Sequence, residues 1–329
     1  MAKGYNQKLK LLYLVDILKR QTDEEHPMSA GALIEELEKS GVSAERKSIY
    51  DDIACLQDYG LDIILNPSKR NGGYYLASRD FELPELKILV DTVQSSRFIT
   101  AKKSKDLIKK LENLASIYDE KELKRQVYVI NRVKTDNESI YYAVNDIYNA
   151  IQNNKQISFV YTVWNAKKKK VPRKDGELYV VSPWTLAYND GNYYLIAYDA
   201  KTDNIKHYRV DKMTSLKELP EARKGNDRFA DFQLVSYLNM TFNMYAGREE
   251  NVELEMPESL VGVFIDRFGD GITVYDLGNG NVRVRVKIAV SSQFFGWLAG
   301  LGPSVTLHSP ENVRKEYKEY IKRILDSID

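Results

Sequence analysis

The spacing of hydrophobic residues changes along this chain, and the order of the changes limits the folds open to it. Residues 1–80 combine three helical patterns with two strand patterns, residues 83–153 are helical, and a two-residue strand period begins after residue 154. A chain of 329 residues is expected to form two or three domains. The sequence therefore predicts a multidomain α+β protein.

The first eighty residues predict a small module of helices and a β-hairpin. Helical spacing runs through KLKLLYLVDILKR, AGALIEELEKS and AERKSIYDDIACLQDY, and a tight turn at Gly41 separates the last two segments. Two strand patterns then flank the turn NPSKRNGG. This order is the layout of a winged helix-turn-helix domain over residues 1–80, in which the third helix enters the major groove of DNA.

The third predicted helix and the predicted wing carry the side chains best suited to DNA. Two cations and a hydroxyl at the start of this helix can reach phosphates or base edges, and two cations at the wing tip suit flanking phosphates. The alternative is a solvated charged surface on an interaction domain, but the order of the elements favours DNA. The predicted DNA-contacting residues are Arg46, Lys47, Ser48, Tyr50, Lys69 and Arg70.

Residues 81–138 predict a helical linker. The segment LPELKILVDTVQSSRF has Pro84 at a helix start. The segment TAKKSKDLIKKLENLASIY follows, with Leu107, Leu111 and Leu114 on one face. Long helices that join a reader domain to another domain often set its geometry by dimerising, so a homodimer is a hypothesis from this part of the chain.

Residues 139–225 predict a helix followed by a small antiparallel sheet or barrel, with a hairpin in GNYYLIAYDAKTDNIKHYRVDKM. Side chains alternate along a strand, so Tyr194 shares a face with Tyr198, and His207 shares a face with Arg209. Phenol, imidazole and guanidinium groups on one surface suit a phosphate or a nucleobase, because Arg forks onto oxyanions and Tyr offers a stacking plane. The alternative is a cross-strand pair that only stabilises the hairpin.

The last predicted domain, residues 226–329, alternates strands and helices. The order βαββαβα predicts a ferredoxin-like α+β domain. Its aromatic residues Phe294, Phe295 and Trp297 are predicted to lie in a core or an interface rather than to form a stacking platform for bases.

Composition and motif content argue against several function classes. The formal net charge is +1, so any nucleic-acid footprint must be local. The three histidines lack metal-ligand spacing, and the chain has no phosphate-binding loop, dinucleotide fingerprint or nucleophile elbow. The sequence therefore predicts neither enzyme activity nor a cofactor or metal. An Arg-Tyr-His pocket could in principle cleave phosphodiesters without metal.

The expected location is the cytoplasm, away from membranes. No apolar run approaches the ~20 residues that span a bilayer, and the basic start predicts an amphipathic helix rather than a signal peptide. Cys55 is the one cysteine, so a disulfide framework is excluded. We predict that Cys55 is a small core residue of the third helix.

The segments YVVSPW, GNYYLIAYD and HYRVDKM, in this order, resemble the WYL domain of bacterial transcriptional regulators. The Trp-Tyr-Leu tripeptide that names this family stands here as Tyr193-Tyr194-Leu195, and its later arginine pair stands as Arg209 and Lys212. RKSIYDDI is similar to the family's recognition helix. DRFG, FFGWLAGLG and SPENVRKEY are similar to the C-terminal extension that these regulators share, so the resemblance covers nearly the whole chain.

The resemblance implies a small Sm-like or SH3-like β-barrel with a basic pocket over residues 139–225. By motif match, the predicted ligand-binding residues are Tyr161, Tyr194, His207, Arg209 and Lys212. The cationic run Lys167–Lys170 either steers anionic ligands towards this pocket or is only a solvated loop.

The function implied by the resemblance is that of a ligand-responsive transcriptional regulator. Such a protein would bind a double-stranded DNA operator and sense an oligonucleotide, a nucleotide or another anionic ligand. The alternatives are a metal-independent nuclease and a nucleic-acid-binding adaptor of a defence system.

Overall fold

The computed structural model describes residues 7–68, 72–123, 134–135, 137–229 and 247–328. The chain divides into two compact units, Met1–Asp136 and Asn137–Asp329. Helices and antiparallel sheets occur in both units, which confirms the prediction of a multidomain chain of mixed α and β structure. The predicted wing-tip residues Lys69 and Arg70 lie outside the described residues.

Helices α1 (Lys10–Gln21), α2 (Ala30–Lys39) and α3 (Arg46–Asp58) open the first unit. The Ser29 hydroxyl caps α2 by accepting a hydrogen bond from the Ala32 N–H at 3.2 Å. One buried cluster joins the apolar faces of the helices, because each helix repeats its apolar residues at a helical spacing. The cluster includes Leu14, Leu18, Leu33, Leu37, Ile49, Ile53 and Leu56.

Cys55 is exposed, so the prediction that it is a core residue is wrong. The buried face of α3 consists of Ile49, Ile53 and Leu56. Cys55 immediately precedes Leu56, and consecutive helical residues are rotated by about 100° around the axis. This rotation carries the thiol off the buried face.

A two-stranded hairpin, β1 (Ile63–Asn66) and β2 (Gly73–Leu76), packs against the helices. Backbone hydrogen bonds of 2.9 and 2.7 Å connect Met28 and Tyr74 in both directions. The residue before the α2 cap therefore extends the sheet by one bridge. The backbone of Met28 lies so close to Gly73 that a Cβ there would be 2.2 Å from the Met28 carbonyl carbon.

Thr22 connects α1 to β2 through a fully buried hydroxyl. The hydroxyl donates to the Leu18 carbonyl at 2.6 Å and accepts from the Leu76 N–H at 3.1 Å. We expect Thr22→Val to lower the free energy of unfolding by about 1–3 kcal/mol, because the Leu76 N–H would lose its acceptor inside the protein. Urea unfolding of both proteins measures this difference.

Thr92→Val is the matched control for Thr22→Val. The Thr92 hydroxyl donates to the Ile88 carbonyl at 2.8 Å with the same four-residue spacing, but it is exposed. Its removal is expected to change stability by less than about 0.5 kcal/mol. Equal losses in the two variants would contradict the role given to the Leu76 N–H.

The described residues of the first unit contain three more helices: α4 (Leu83–Ser95), α5 (Ala101–Glu112) and α6 (Glu120–Leu123). The Glu82–Glu85 capping box and Pro84 start α4. Helix α5 ends at Glu112, so Leu114 lies beyond it and is exposed. The prediction that Leu114 continues the apolar face of this helix is therefore wrong.

The second unit begins with α7 (Ser139–Gln152), which packs on an antiparallel sheet. The strands are β3 (Lys155–Trp164), β4 (Lys170–Pro172), β5 (Leu178–Asn189), β6 (Asn192–Asp199), β7 (Asn204–Arg209) and β8 (Met213–Ala222). The strand order is β4-β3-β5-β6-β7, and β8 also pairs with β3. Within the described residues β7 and β8 do not pair, so the small closed barrel stays a prediction. A one-turn helix, α8 (Asn226–Phe229), follows β8.

The second unit ends in a four-stranded sheet covered by helices. Its elements are β9 (Arg248–Pro257), α9 (Val261–Phe268), β10 (Thr273–Gly278), β11 (Asn281–Val290), α10 (Ser292–Gly300), β12 (Thr306–Ser309) and α11 (Glu311–Asp326). The strand order β10-β11-β9-β12 is antiparallel throughout. Phe294, Phe295 and Trp297 belong to the core of this domain, as predicted.

No helix in the described part of the chain is both long and apolar enough to cross a membrane. No group of three or more His, Cys, Asp or Glu side chains in the same residues is arranged to hold a metal ion.

Candidate functional site

The first candidate surface is the start of α3, where Arg46 and Lys47 are exposed. The Arg46 Nε donates a hydrogen bond to the Tyr50 hydroxyl at 2.7 Å, one helical turn away. The guanidinium carbon also lies 5.9 Å from the centre of the Tyr50 ring. Tyr50 in turn faces Tyr74 of β2 at a ring distance of 6.3 Å. The hairpin, Tyr50 and Arg46 therefore form a continuous chain of contacts on the exposed side of α3.

Ser48 lies in the contact between α1 and α3 rather than on the open surface. Its hydroxyl accepts a hydrogen bond from the Lys10 ammonium, which also forms an ion pair with Asp52 at 2.6 Å. Lys10 thus offsets one of the two acidic residues that follow the predicted DNA-contacting positions on α3. Of the six predicted DNA-contacting residues, Arg46, Lys47 and Tyr50 are presented together, and Lys69 and Arg70 lie outside the described residues.

The second candidate surface is one face of the β6–β7 hairpin. Tyr194 pairs with Arg209, Ile196 with His207, and Tyr198 with Ile205. Directly opposed residues in an antiparallel pair point to the same side of the sheet, so these six side chains form one surface, here called the hairpin face. Tyr194 is 9% exposed and packs with Ile196, and His207 and Arg209 are half-buried.

The Arg209 guanidinium is held by groups of the same hairpin. Its Nε and Nη2 atoms donate to the two carboxylate oxygens of Asp211 at 2.9 and 3.0 Å, and Nη2 also donates to the Asn192 side-chain oxygen at 2.8 Å. The hydrogen bonds to Asp211 raise the pKa of Arg209 above its usual value. An anion that binds this guanidinium through Nε and Nη2 has to replace a carboxylate already bound in the bidentate geometry that phosphates also use.

Tyr161 belongs to an aromatic core rather than to the hairpin face. Its ring lies 6.3 Å from Phe159, 5.8 Å from Tyr179 and 5.9 Å from Tyr208. Its hydroxyl accepts a hydrogen bond from the Arg209 backbone N–H at 3.2 Å. Burial raises the pKa of Tyr161. The Tyr161 hydroxyl therefore supports the main chain at Arg209.

Two lysines extend the positive charge near Arg209. Lys212 lies in the turn after β7, where its carbonyl accepts from the Thr162 hydroxyl at 2.9 Å, and its ammonium has no hydrogen bond or ion pair with any described residue. Lys170, the last residue of the cationic run, donates to the Asp211 carbonyl at 2.9 Å. The run thus ends beside the Arg209–Asp211 pair, and its members are exposed.

The sequence does not identify a third group, an aromatic stack on Trp184 of β5. The Phe229 ring stacks on the Trp184 ring at 4.7 Å and 15°, and the Arg223 guanidinium carbon lies 4.3 Å from the Trp184 ring centre. The indole N–H donates to the Lys224 carbonyl at 3.0 Å. Both partners lie roughly 40 residues further along the chain, so no local pattern could predict this contact.

Family comparison identifies both parts of the second unit. A family model for the WYL domain matches residues 142–218, and a family model for the WCX domain matches residues 248–325. The chain is a WYL-domain protein. The WYL match covers α7 and the sheet that carries the hairpin face, and the WCX match covers the four-stranded sheet that follows. The family predicted from the sequence is thereby confirmed.

Solved structures match this WYL-domain protein at low similarity. Proteasome accessory factor B/C (PafBC) of Arthrobacter aurescens is 18% identical, with a TM-score of 0.28 over 97% of this chain and 49% of that one. A CRISPR Cas-related protein is 13% identical, with a TM-score of 0.35 over 74% of this chain and 71% of that one. The chain therefore spans about half the length of the PafBC chain. No curated protein sequence matches.

Proposed function

We propose that this WYL-domain protein is a ligand-responsive transcriptional regulator. Its first unit binds double-stranded DNA, and its WYL domain binds an oligonucleotide, a nucleotide or another anionic ligand. The observation that carries the proposal is the exposed group Arg46, Lys47 and Tyr50 on α3, in the same chain as a WYL domain. A cationic helix end beside a hairpin suits the major groove, and a WYL domain supplies a second site for a ligand.

The proposed DNA-binding fold is a winged helix-turn-helix over residues 1–80. Helices α2 and α3 are joined by six residues, with Val42 buried in the turn. The Met28–Tyr74 bridge supports the hairpin in the position of a wing. Lys69 and Arg70 are proposed to contact phosphates beside the groove, while Arg46 and Lys47 contact phosphates or base edges.

The proposed ligand site is centred on Arg209. A phosphate would take the bidentate position of Asp211, and the Lys170 ammonium at the Asp211 carbonyl, together with Lys212 in the adjoining turn, would favour the exchange. His207 and Tyr194 complete the surface from the hairpin face, and Tyr161 holds the Arg209 backbone. The fold proposed for this domain is the Sm-like or SH3-like barrel, and the following domain is proposed to be ferredoxin-like.

Ligand binding is proposed to change the affinity for DNA. By thermodynamic reciprocity, DNA must then change the affinity for the ligand by the same factor. We further propose that the protein is a homodimer in the cytoplasm. A dimer with two-fold symmetry would bind the two half-sites of an operator that has the same symmetry. The proposal assigns no catalytic step and no cofactor to the chain.

Substitution of Arg46 tests DNA binding. We expect Arg46→Ala to weaken binding of a labelled mixed-sequence duplex by about 5- to 10-fold, because one charge-assisted phosphate or base contact is lost. For a phosphate contact, the slope of log affinity against log salt concentration should also fall by about one. Fluorescence anisotropy at several salt concentrations measures both quantities.

Arg97→Ala is the control, because Arg97 is exposed in the same unit but lies in the loop between α4 and α5. Arg97→Ala removes the same single positive charge as Arg46→Ala, so it measures the effect of net charge alone. We expect it to leave the affinity for the duplex within about two-fold of the wild-type value. Absence of duplex binding by the wild-type protein would favour the adaptor alternative. Metal-independent cleavage of the labelled DNA would favour the nuclease alternative.

A further inference from the structure

The segment that follows β8 folds back over the hairpin face. Its first two residues are firmly held: the Arg223 guanidinium donates to the Pro183 carbonyl and to the Asn154 side-chain oxygen, each at 3.0 Å. The Lys224 N–H donates to the Ser182 hydroxyl at 2.8 Å. Hydrogen bonds therefore anchor this part of the segment to β5 and to Asn154, which follows α7.

The chain changes direction at Gly225, which has a φ of +88°. A Cβ at this position would lie 2.5 Å from the Tyr198 ring, so glycine is needed for the close approach. Beyond it, α8 is a single turn held by an ion pair of Arg228 with Asp203 at 2.6 Å, and both side chains are at least half exposed. An exposed ion pair of this kind contributes little to holding the turn.

Phe229, at the end of α8, covers the hairpin face. It packs against the buried cluster of Ala187, Tyr194 and Ile196 while its ring stacks on Trp184. The Trp184 ring itself is oriented by contacts that do not involve Phe229, namely the hydrogen bond to Lys224 and the Arg223 guanidinium. The stacking surface would therefore keep its orientation if Phe229 moved away.

We propose that Phe229 is a displaceable cover on a nucleobase-stacking site formed by Trp184 and Arg223. An indole plane with an adjacent guanidinium binds a planar ring and attracts the phosphate attached to it. The ligand class is a nucleobase that carries a phosphate, either within a single strand or as a free nucleotide. When the base occupies Trp184, α8 turns about Gly225 and exposes Tyr194 on the hairpin face. This inference rests on the proposed ligand-sensing function.

Two substitutions with opposite expected effects test the cover. Phe229→Ala should strengthen binding of a fluorescently labelled hexathymidylate by about 10-fold, because the base no longer competes with the phenyl ring. Trp184→Ala should weaken binding by about 10-fold, because the stacking plane is lost. Trp184→Phe, which keeps an aromatic plane, should restore much of the affinity. Anisotropy of the full-length proteins at one moderate salt concentration gives all three values.

Tyr188→Ala is the matched control, since Tyr188 is an exposed aromatic residue on the same strand as Trp184. It should leave the affinity within about two-fold, because no contact with Trp184 is lost. Competition by thymidine monophosphate separates the two sources of the ligand: displacement of the hexathymidylate at comparable concentration indicates a nucleotide site, and failure to displace it indicates a single-strand site.

A purely structural role for the stack predicts that Phe229→Ala and Trp184→Ala change affinity in the same direction or leave it unchanged. Either result would overturn the proposal that Phe229 is a displaceable cover. The proposed ligand function would still stand if the wild type binds the hexathymidylate and Arg209→Ala abolishes that binding. No binding by the wild type or by Phe229→Ala would overturn both. Binding by Phe229→Ala alone would support the cover.

Discussion

Gly73→Ala is expected to lower the free energy of unfolding of the first unit by about 3 kcal/mol. A Cβ on residue 73 would lie 2.2 to 2.6 Å from three backbone atoms of Met28 and Ser29. Backbone atoms cannot move aside as a flexible side chain can, so the two hydrogen bonds between Met28 and Tyr74 must break or the hairpin must shift. Because Tyr74 contacts Tyr50, which holds Arg46, duplex binding should weaken as well.

Gly31→Ala is the matched control for Gly73→Ala. Residue 31 lies in the first turn of α2, and a Cβ there meets only the Ser29 hydroxyl at 3.7 Å, an ordinary contact. Alanine should stabilise the helix by roughly 0.5–1 kcal/mol relative to glycine. Urea unfolding gives the two free energies, and amide hydrogen exchange assigns the loss to the hairpin. Destabilisation by both substitutions, or by neither, would refute the close-approach argument.

Phe159→Ala is expected to lower the free energy of unfolding of the WYL domain by about 3–5 kcal/mol. Phe159 is fully buried in the middle of β3. Its ring stacks on Tyr179 at 5.5 Å and 9°, and it meets the edge of Tyr208 at 5.3 Å. Removal of the ring leaves a cavity between rigid aromatic neighbours that cannot collapse into it. Tyr161, which contacts the same ring, should lose its fixed position beside the Arg209 N–H.

Phe81→Ala serves as the control because Phe81 is 39% exposed and precedes α4. It should change stability by no more than about 0.5 kcal/mol. Denaturant unfolding of the full-length proteins measures both effects, and Phe159→Leu should recover part of the loss because it refills part of the cavity. A loss below about 1 kcal/mol for Phe159→Ala would mean that the aromatic cluster is not the core of this domain.

The positions of the main elements could be predicted because they depend on local periodicity. The α3 residues Ile49, Ile53 and Leu56 repeat at helical spacing and are buried together, as their pattern indicates. Two residues differ from their predicted environment because each lies only one or two positions from the buried face or the helix end. Cys55 is adjacent to Leu56 in the sequence but points away from the core, and Leu114 lies two residues past the end of α5.

The candidate site could be predicted only in part, because residue types are visible in the sequence and their partners are not. Alternation predicted that His207 and Arg209 share a face, and the register then placed Tyr194 opposite Arg209. The hydrogen bonds from the Arg209 guanidinium to Asp211 and Asn192 depend on side-chain geometry within the folded hairpin. Tyr161, which the family resemblance assigned to the pocket, lies in the aromatic core, and its hydroxyl accepts a hydrogen bond from the Arg209 backbone N–H.

Most helices and strands, the multidomain class of mixed α and β structure and the WYL family can be predicted from the sequence, since periodicity and short ordered motifs are properties of neighbouring residues. The stacking of Phe229 on Trp184, the ion pair of Lys10 with Asp52 and the close approach of Gly73 to Met28 are visible in the folded protein alone. These contacts join residues far apart in the chain. Their existence depends on how helices and strands pack in three dimensions, which no local pattern encodes.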